Sequence, residues 1–254
     1  SSCSTPGSAN DSCENIRSFV ASQVTEQRKE TPKTMAPTFA YWDSRGLGQV
    51  TRTLLVYKGV PFEDKRYKKG PPPEYSRDEW LADKFSLGLK FPNLPYYIDG
   101  DVKLTQSVAI LRYLARKYDL GPRNEEETRE LDVLEQQARD LATNLIRSFL
   151  PGVNLQEARK KYEENMGNVL KPWADHLANR KWAVGDRVTY VDFLVYEALD
   201  WNHEFCAAAF KDFPALEQYL KRFEALPNIK EYFASDKYKK WPITAPHFLW
   251  GFKK

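Results

Sequence analysis

Residues 93–107 read NLPYYIDGDVKLTQS. Two β-prone runs, PYYI and VKLT, flank Asp99-Gly100, a strong two-residue turn signal, so a β-hairpin is expected here. Pro95 stands at the mouth of the first run, where a strand tolerates proline at its first position. The second run passes straight into Gln106-Ser107 and then into SVAILRYLARKYDL, a helix expected to end at Gly121-Pro122. That junction is a candidate binding point, because a helix N-terminus offers unpaired N–H groups and the positive end of the dipole. The plainer role for Thr105 or Ser107 is to cap the helix, and Ser107 can do both.

Working outward, TFAYW (38–42) is a strand candidate, and LGQVTRTLLVYKG places Leu47, Val50, Leu54 and Tyr57 at helical spacing with Gly59 as the stop. VPFEDKRY is a second strand. KKGPPPEYSRDEWLADKFSLGLK reads as an ordered loop followed by a brief helix around Trp80. The order β-α-β-(loop/helix)-β-β-α describes a small α/β layer with a mixed four-stranded sheet.

Everything beyond Arg123 reads as helix. Glu125-Glu126-Glu127 supply negative charge to the first turn of a helix that runs to about Leu150, where Pro151-Gly152 breaks it. A second long helix covers 155–179 with Pro172 as a bending point. Thr189-Tyr190-Val191-Asp192 resembles a capping box with Asp as its fourth residue, ahead of the apolar run FLVYEALDW. Two shorter helices, PALEQYLKRFEAL and NIKEYFAS, precede an irregular tail, WPITAPHFLWGFKK. The expected layout is an α/β domain over 36–118, a linker at 119–123 and an all-helical domain over 124–254. Residues 1–34 are rich in Ser, Thr and charge; they read as an unstructured extension ahead of Met35, with a targeting or docking arm as the alternative.

The chain has 254 residues, 29% charged and 42% hydrophobic, with a formal net charge of +3. No apolar run approaches the roughly 18 residues needed to cross a membrane, and the N-terminus lacks an apolar signal core. The short pairs Lys68-Lys69 and Lys239-Lys240 read as solvated faces rather than a nucleic-acid stripe. Three cysteines (Cys3, Cys13, Cys206) and three scattered histidines (His176, His203, His247) build neither a disulfide framework nor a metal site. A reducing compartment is expected, without bound metal.

A β-α-β plus β-β-α unit is the thioredoxin-like arrangement, in which a C-x-x-C motif would follow the first strand. The corresponding stretch here is Tyr41-Trp42-Asp43-Ser44. If sulfur chemistry occurs, a ligand must bring the thiol.

The phrases AYWDSRGLGQ, DEWLADKFSLGLKFPNLPYYIDGDVKLTQSVAILRYLARKY and VTYVDFLVYEALD resemble those of cytosolic glutathione S-transferases, most nearly the mu class and its flatworm-type relatives. The likeness runs from Met35 to Lys254 and includes the loop at Lys69–Tyr75. It implies an enzyme that conjugates reduced glutathione, as co-substrate rather than prosthetic group, to small hydrophobic electrophiles. It also implies a cytoplasmic homodimer with no nucleic-acid or membrane partner. Tyr41 is implied as the catalytic donor to the glutathione sulfur, with Ser44 as a rival. Leu94-Pro95, with a cis bond, would pair with the cysteinyl unit as an added strand does, and Gln106-Ser107 would hold the γ-glutamyl carboxylate. Trp42, Leu47, Arg77, Trp80, Lys84 and Asn93 match further glutathione contacts; core packing is the competing role for the two tryptophans. Asp140 matches an acid that reaches the ligand from the partner subunit, and Phe91 the aromatic key inserted into that partner. Phe149, Leu150, Phe248 and Trp250 are the expected electrophile pocket, with Leu150 replacing a tyrosine common in mu enzymes. Two rivals remain open at this point: a non-catalytic ligand carrier or crystallin-like structural protein, and a glutathione-dependent isomerase of prostaglandin-like substrates.

Overall fold

Strand β1 (Thr38–Trp42) lies inside the sheet, and apolar cores cover both its faces. The structure, a computed structural model, describes residues 35–252, so the expectation for residues 1–34 lies outside the described residues. The sheet has the order β2-β1-β3-β4, built with β2 (Glu63–Tyr67), β3 (Tyr96–Asp99) and β4 (Val102–Thr105). β1 runs parallel to β2, with Tyr41 opposite Arg66, and antiparallel to β3, which is antiparallel to β4.

The period of two along β1 sorts its side chains. Phe39 turns to the core shared with α1 (Gln49–Tyr57) and α3 (Ser107–Lys117), where Leu54, Leu55, Ile110 and Leu114 are fully buried. Ala40 turns to the other face, where α2 (Asp78–Asp83) supplies Trp80, packed with Tyr67, Leu94 and Tyr96.

The hairpin turn falls one residue later than expected. Asp99 pairs with Val102, leaving Gly100 and Asp101 as the two loop residues. Gly100 takes φ +59, which suits a type II′ turn with glycine first. α1 stops as its glycine indicates: Gly59 at φ +63 lets the Gly59 and Val60 amides bond the Val56 and Leu55 carbonyls. α3 ends earlier than Gly121-Pro122. Asp119 adopts φ +56, and the Leu120 amide turns back to Ala115 O at 2.8 Å, the same closure made without a glycine.

The helical layer comprises α4 (Glu125–Arg147), α5 (Leu155–Leu177), α6 (Tyr190–Phe205), α7 (Pro214–Glu224) and α8 (Pro227–Phe233). A short 3-10 helix over Ala207–Asp212, which the sequence did not announce, links α6 to α7. Asn124 and Asn154 cap α4 and α5 by accepting the amides of Glu127 and Glu157. α4 ends at Arg147, before the Pro151-Gly152 break, and α5 continues through Pro172.

α6 is buried along nearly its whole length. Its capping box is formed: Asp192 Oδ2 accepts the Thr189 amide at 2.8 Å. The other oxygen accepts from the Ala183 amide at 2.7 Å and the Tyr219 hydroxyl at 2.8 Å. One contiguous apolar core joins α1 and α3 to α4, α5, α6 and α7. Among the described residues no helix is long and apolar enough to cross a membrane.

Candidate active site

The loop between β1 and α1, residues 43–48, is held by two buried arginines. Arg52 on α1 donates to the carbonyls of Ser44 at 2.8 Å and Trp42 at 3.2 Å, while its Nε pairs with Asp64 at 2.8 Å. Arg45 reaches α6, donating to Glu197 at 3.0 and 3.2 Å and to Asp200 at 2.6 Å. Burial works to lower the Arg45 pKa, but the two carboxylates outweigh it and hold the guanidinium firmly protonated. Trp201 Nε1 adds a third donor to Glu197 Oε2 at 2.7 Å. The C-terminal segment completes the anchor: the Arg45 and Gly46 amides bond the carbonyls of Pro242 and Ile243 at 2.9 and 3.0 Å.

This loop wraps the Tyr41 ring. A Cβ on Gly48 would stand 2.6 Å from Tyr41 Cδ1, and one on Gly46 would stand 2.9 Å from the hydroxyl oxygen. Only glycine permits that approach, and Gly46 also takes φ +38. Burial pushes the phenol above its ordinary value, while the nearby Leu47 amide and the Arg52 charge pull the other way. The net rise keeps Tyr41 protonated at neutral pH, as a hydrogen-bond donor rather than a base.

Tyr41 lines a cavity of roughly 620 Å³ between the sheet layer and the helices. Of the residues expected from sequence, Trp42, Ser44, Leu47, Ser107 and Phe248 also line it. Lys69 Nζ lies 4.4 Å from the centre of the Trp42 ring. Tyr75 and Phe252 also line the cavity, their rings meeting edge-on at 5.7 Å and 81°.

The other expected residues stand apart from this lining. Trp80 is 5% exposed and stacks on Tyr96 in the second core, the packing role open to it from the start. Arg77 precedes α2 and is exposed, and Lys84 follows that helix with Nζ 5.0 Å from the Phe85 ring. The Leu94–Pro95 bond is cis, and Asn93 Oδ1 accepts the Leu94 amide at 2.9 Å. Gln106 stands at the N-terminus of α3 with φ +73 and ψ +113, a strained conformation that no side-chain cap relieves. Asp140 is exposed on α4, and Phe91 is 67% exposed beyond α2.

Three of the four residues expected in the electrophile pocket do not line this cavity. Phe149 is 1% exposed, packed against Tyr162, Phe205 and Trp250 in the core. Leu150 is exposed, and neither it nor Trp250 lines the cavity. The cause is the early end of α4, which leaves residues 149 and 150 beyond the lining face. That face is Ala138, Ala142 and Ile146, one turn apart, with Arg139 and Thr143 beside them. Leu194, Trp201, Ile243 and Phe252 complete the wall.

Sequence reasoning also missed Arg45 and Glu197. The available signal was Glu197 and Asp200 inside the apolar run FLVYEALDW, since buried acids require a partner. Among the described residues there is no cluster of His, Cys, Asp and Glu able to hold a metal.

Two family models match, described as the N-terminal and C-terminal domains of glutathione S-transferase, over residues 37–116 and 139–236. Glutathione S-transferase Mu 2 of Mus musculus is 43% identical over 218 residues, covering 85% of this chain and 99% of that protein. Glutathione S-transferase Mu 4 of Mus musculus is 42% identical over 220 residues, covering 86% of this chain and all of that protein. The crystal structure of the glutathione S-transferase Blo t 8 superposes with a TM-score of 0.77 at 37% identity, covering 84% of this chain and 99% of that one. A pi-class glutathione S-transferase of Onchocerca volvulus gives 0.73 at 28% identity, with 84% and 100% covered. The thioredoxin-like sheet followed by helices, and identity above 40% across nearly the whole length of mu-class enzymes, place this chain in the glutathione S-transferase family, with mu-class proteins among its relatives.

Proposed function

We propose that the chain activates the thiol of reduced glutathione and transfers its sulfur to hydrophobic electrophiles. The observation that carries this reading is the protonated Tyr41 phenol, enclosed by the glycines of the loop after β1 while its side chain lines the cavity. A free thiol titrates near pH 8.5, so shifting it down by about two units takes about 2.7 kcal/mol of preferential thiolate stabilisation. In a partly desolvated site, a phenolic O–H donated to sulfur is a sufficient source for much of that.

Glutathione is read across the first turn of α3, where Ser107 and the strained Gln106 offer donors to the γ-glutamyl carboxylate. The cis Leu94–Pro95 bond and the cations Arg77, Lys84 and Lys69 serve the rest of the tripeptide. Pairing with the Leu94 amide requires the ligand to displace Asn93 Oδ1. The apolar wall formed by Leu111, Ala142, Ile146, Leu194 and Phe248 receives the electrophile. We further read the enzyme as a cytoplasmic homodimer, in which Phe91 enters the partner and Asp140 approaches the partner's site. The exposure of Phe85 at 78%, Phe91 at 67% and Val133 at 62% supports that surface.

Turnover of glutathione with 1-chloro-2,4-dinitrobenzene tests the reading. Saturable conjugation is expected, whereas glutathione binding with no conjugation would leave only a ligand carrier.

A further inference from the structure

A cation stands in the cavity wall with no acid among the described residues paired to it. Arg139 occupies the lining face of α4, next to Ala138 and one turn from Ala142 and Thr143. Its Nη1 donates to the neutral Gln136 Oε1 at 3.1 Å. Among the described residues Arg139 forms no ion pair, in contrast to Arg112, which meets Asp132 and Glu135 from α3. Its neighbour Asp140 is one step round the helix and does not face it.

The acids that line the same cavity are already engaged. Glu197 is held by Arg45 at 3.0 Å, and Asp43 by Arg66 at 3.3 Å and Lys239 at 2.6 Å. The wall around Arg139 is otherwise mainly apolar. A ligand filling this wall therefore meets hydrophobic surface with one free guanidinium at its edge. Arginine in such a setting selects a planar, bidentate anion, above all a carboxylate.

We propose that Arg139 is an anion subsite of the electrophile half of the cavity, and that the favoured substrates are amphipathic acids: apolar electrophiles with a carboxylate set apart from the reacting carbon. The assignment rests on the conjugation reading above and narrows it to a substrate class. The carboxylates of glutathione have their own donors there, at the N-terminus of α3 and at the cations of the sheet layer. Arg139 is a binding residue for the second substrate and takes no part in sulfur activation.

The test compares 4-chloro-3,5-dinitrobenzoate with its methyl ester, which react at the same ring carbon. In Arg139→Gln, kcat/KM for the acid is expected to fall about tenfold, the effect of losing a charge-assisted hydrogen bond. The ester should change less than about twofold, as should the KM for glutathione, and Arg139→Lys should restore part of the preference. Because Arg139 is an exposed helix residue, the glutamine variant is expected to fold normally. Parallel losses for acid and ester, no change in either, or a rise in glutathione KM alone would overturn the assignment. Turnover of neither compound by the native chain would instead remove the conjugation reading itself, and this assignment with it.

Discussion

Gly48 sits so close against Tyr41 that a methyl group there would stand 2.6 Å from the ring's Cδ1 and 2.7 Å from Cγ. The ring is partly buried and wrapped by a loop pinned by Arg45 and Arg52, so on that side it has little room to yield. Gly48→Ala is expected to displace the phenol, lowering kcat by about tenfold or more and costing about 1–3 kcal/mol of stability through overpacking. Steady-state kinetics beside a denaturant titration would check both parts. Full activity in the alanine variant would show that the ring position is not critical.

Asp192 is fully buried and accepts from Ala183 N, Thr189 N, Thr189 Oγ1 and Tyr219 Oη within 3.0 Å. Asp192→Ala leaves several buried donors without an acceptor, which predicts a loss of about 3–5 kcal/mol. Urea unfolding should show it as a lower midpoint. A loss under about 1 kcal/mol would mean that water or the backbone replaces the carboxylate.

That box was legible from four adjacent letters because its bonds are local. So was the end of α1, where Gly59 closes the helix as a glycine should. The α3 terminus was misplaced because Asp119 adopts a left-handed conformation that its residue type permits but does not announce. The hairpin shift has a similar origin, since Gly100 fits either position of a two-residue turn. The Arg45–Glu197–Asp200 cluster joins residues more than 150 positions apart, and no spacing encodes that pairing. Phe149 and Leu150 do not line the cavity, because one turn of helix decides which side chains face it.

The Tyr75–Phe252 contact joins two distant segments of the cavity lining. Phe252→Ala removes an edge-on aromatic pair worth about 0.5–1.5 kcal/mol while leaving the thiol site intact. The KM for a bulky electrophile should rise about two- to tenfold. The kcat should rise if product release limits turnover. Unchanged kinetics with large and small electrophiles alike would show that this contact does not govern access.

Asp43 provides a pH prediction. Burial alone would raise its pKa, but hydrogen bonds and charge from Lys239 and Arg66 outweigh it and hold the carboxyl below its ordinary 3.8. A depressed folded value means the unfolded chain takes up the proton first. The stabilisation is therefore present above the unfolded value and lost as pH falls through the folded one. Relative to Asp43→Asn, the native chain should be more stable by about 1 kcal/mol or less at pH 7, with the gap closing as pH falls below the ordinary carboxylate value. A gap that widened on acidification would contradict this.

The central claim is that Tyr41 lowers the pKa of the glutathione thiol by donating its proton to sulfur. The direct measurement is a pH titration of bound glutathione by ultraviolet absorbance of the thiolate, in the native chain and in Tyr41→Phe. The native complex should titrate about two units below the free thiol, and the phenylalanine variant close to it, near pH 8.5, with glutathione affinity changed less than about threefold. Superimposable titrations of the two proteins would contradict the account and assign the sulfur to another donor, Ser44 first among them.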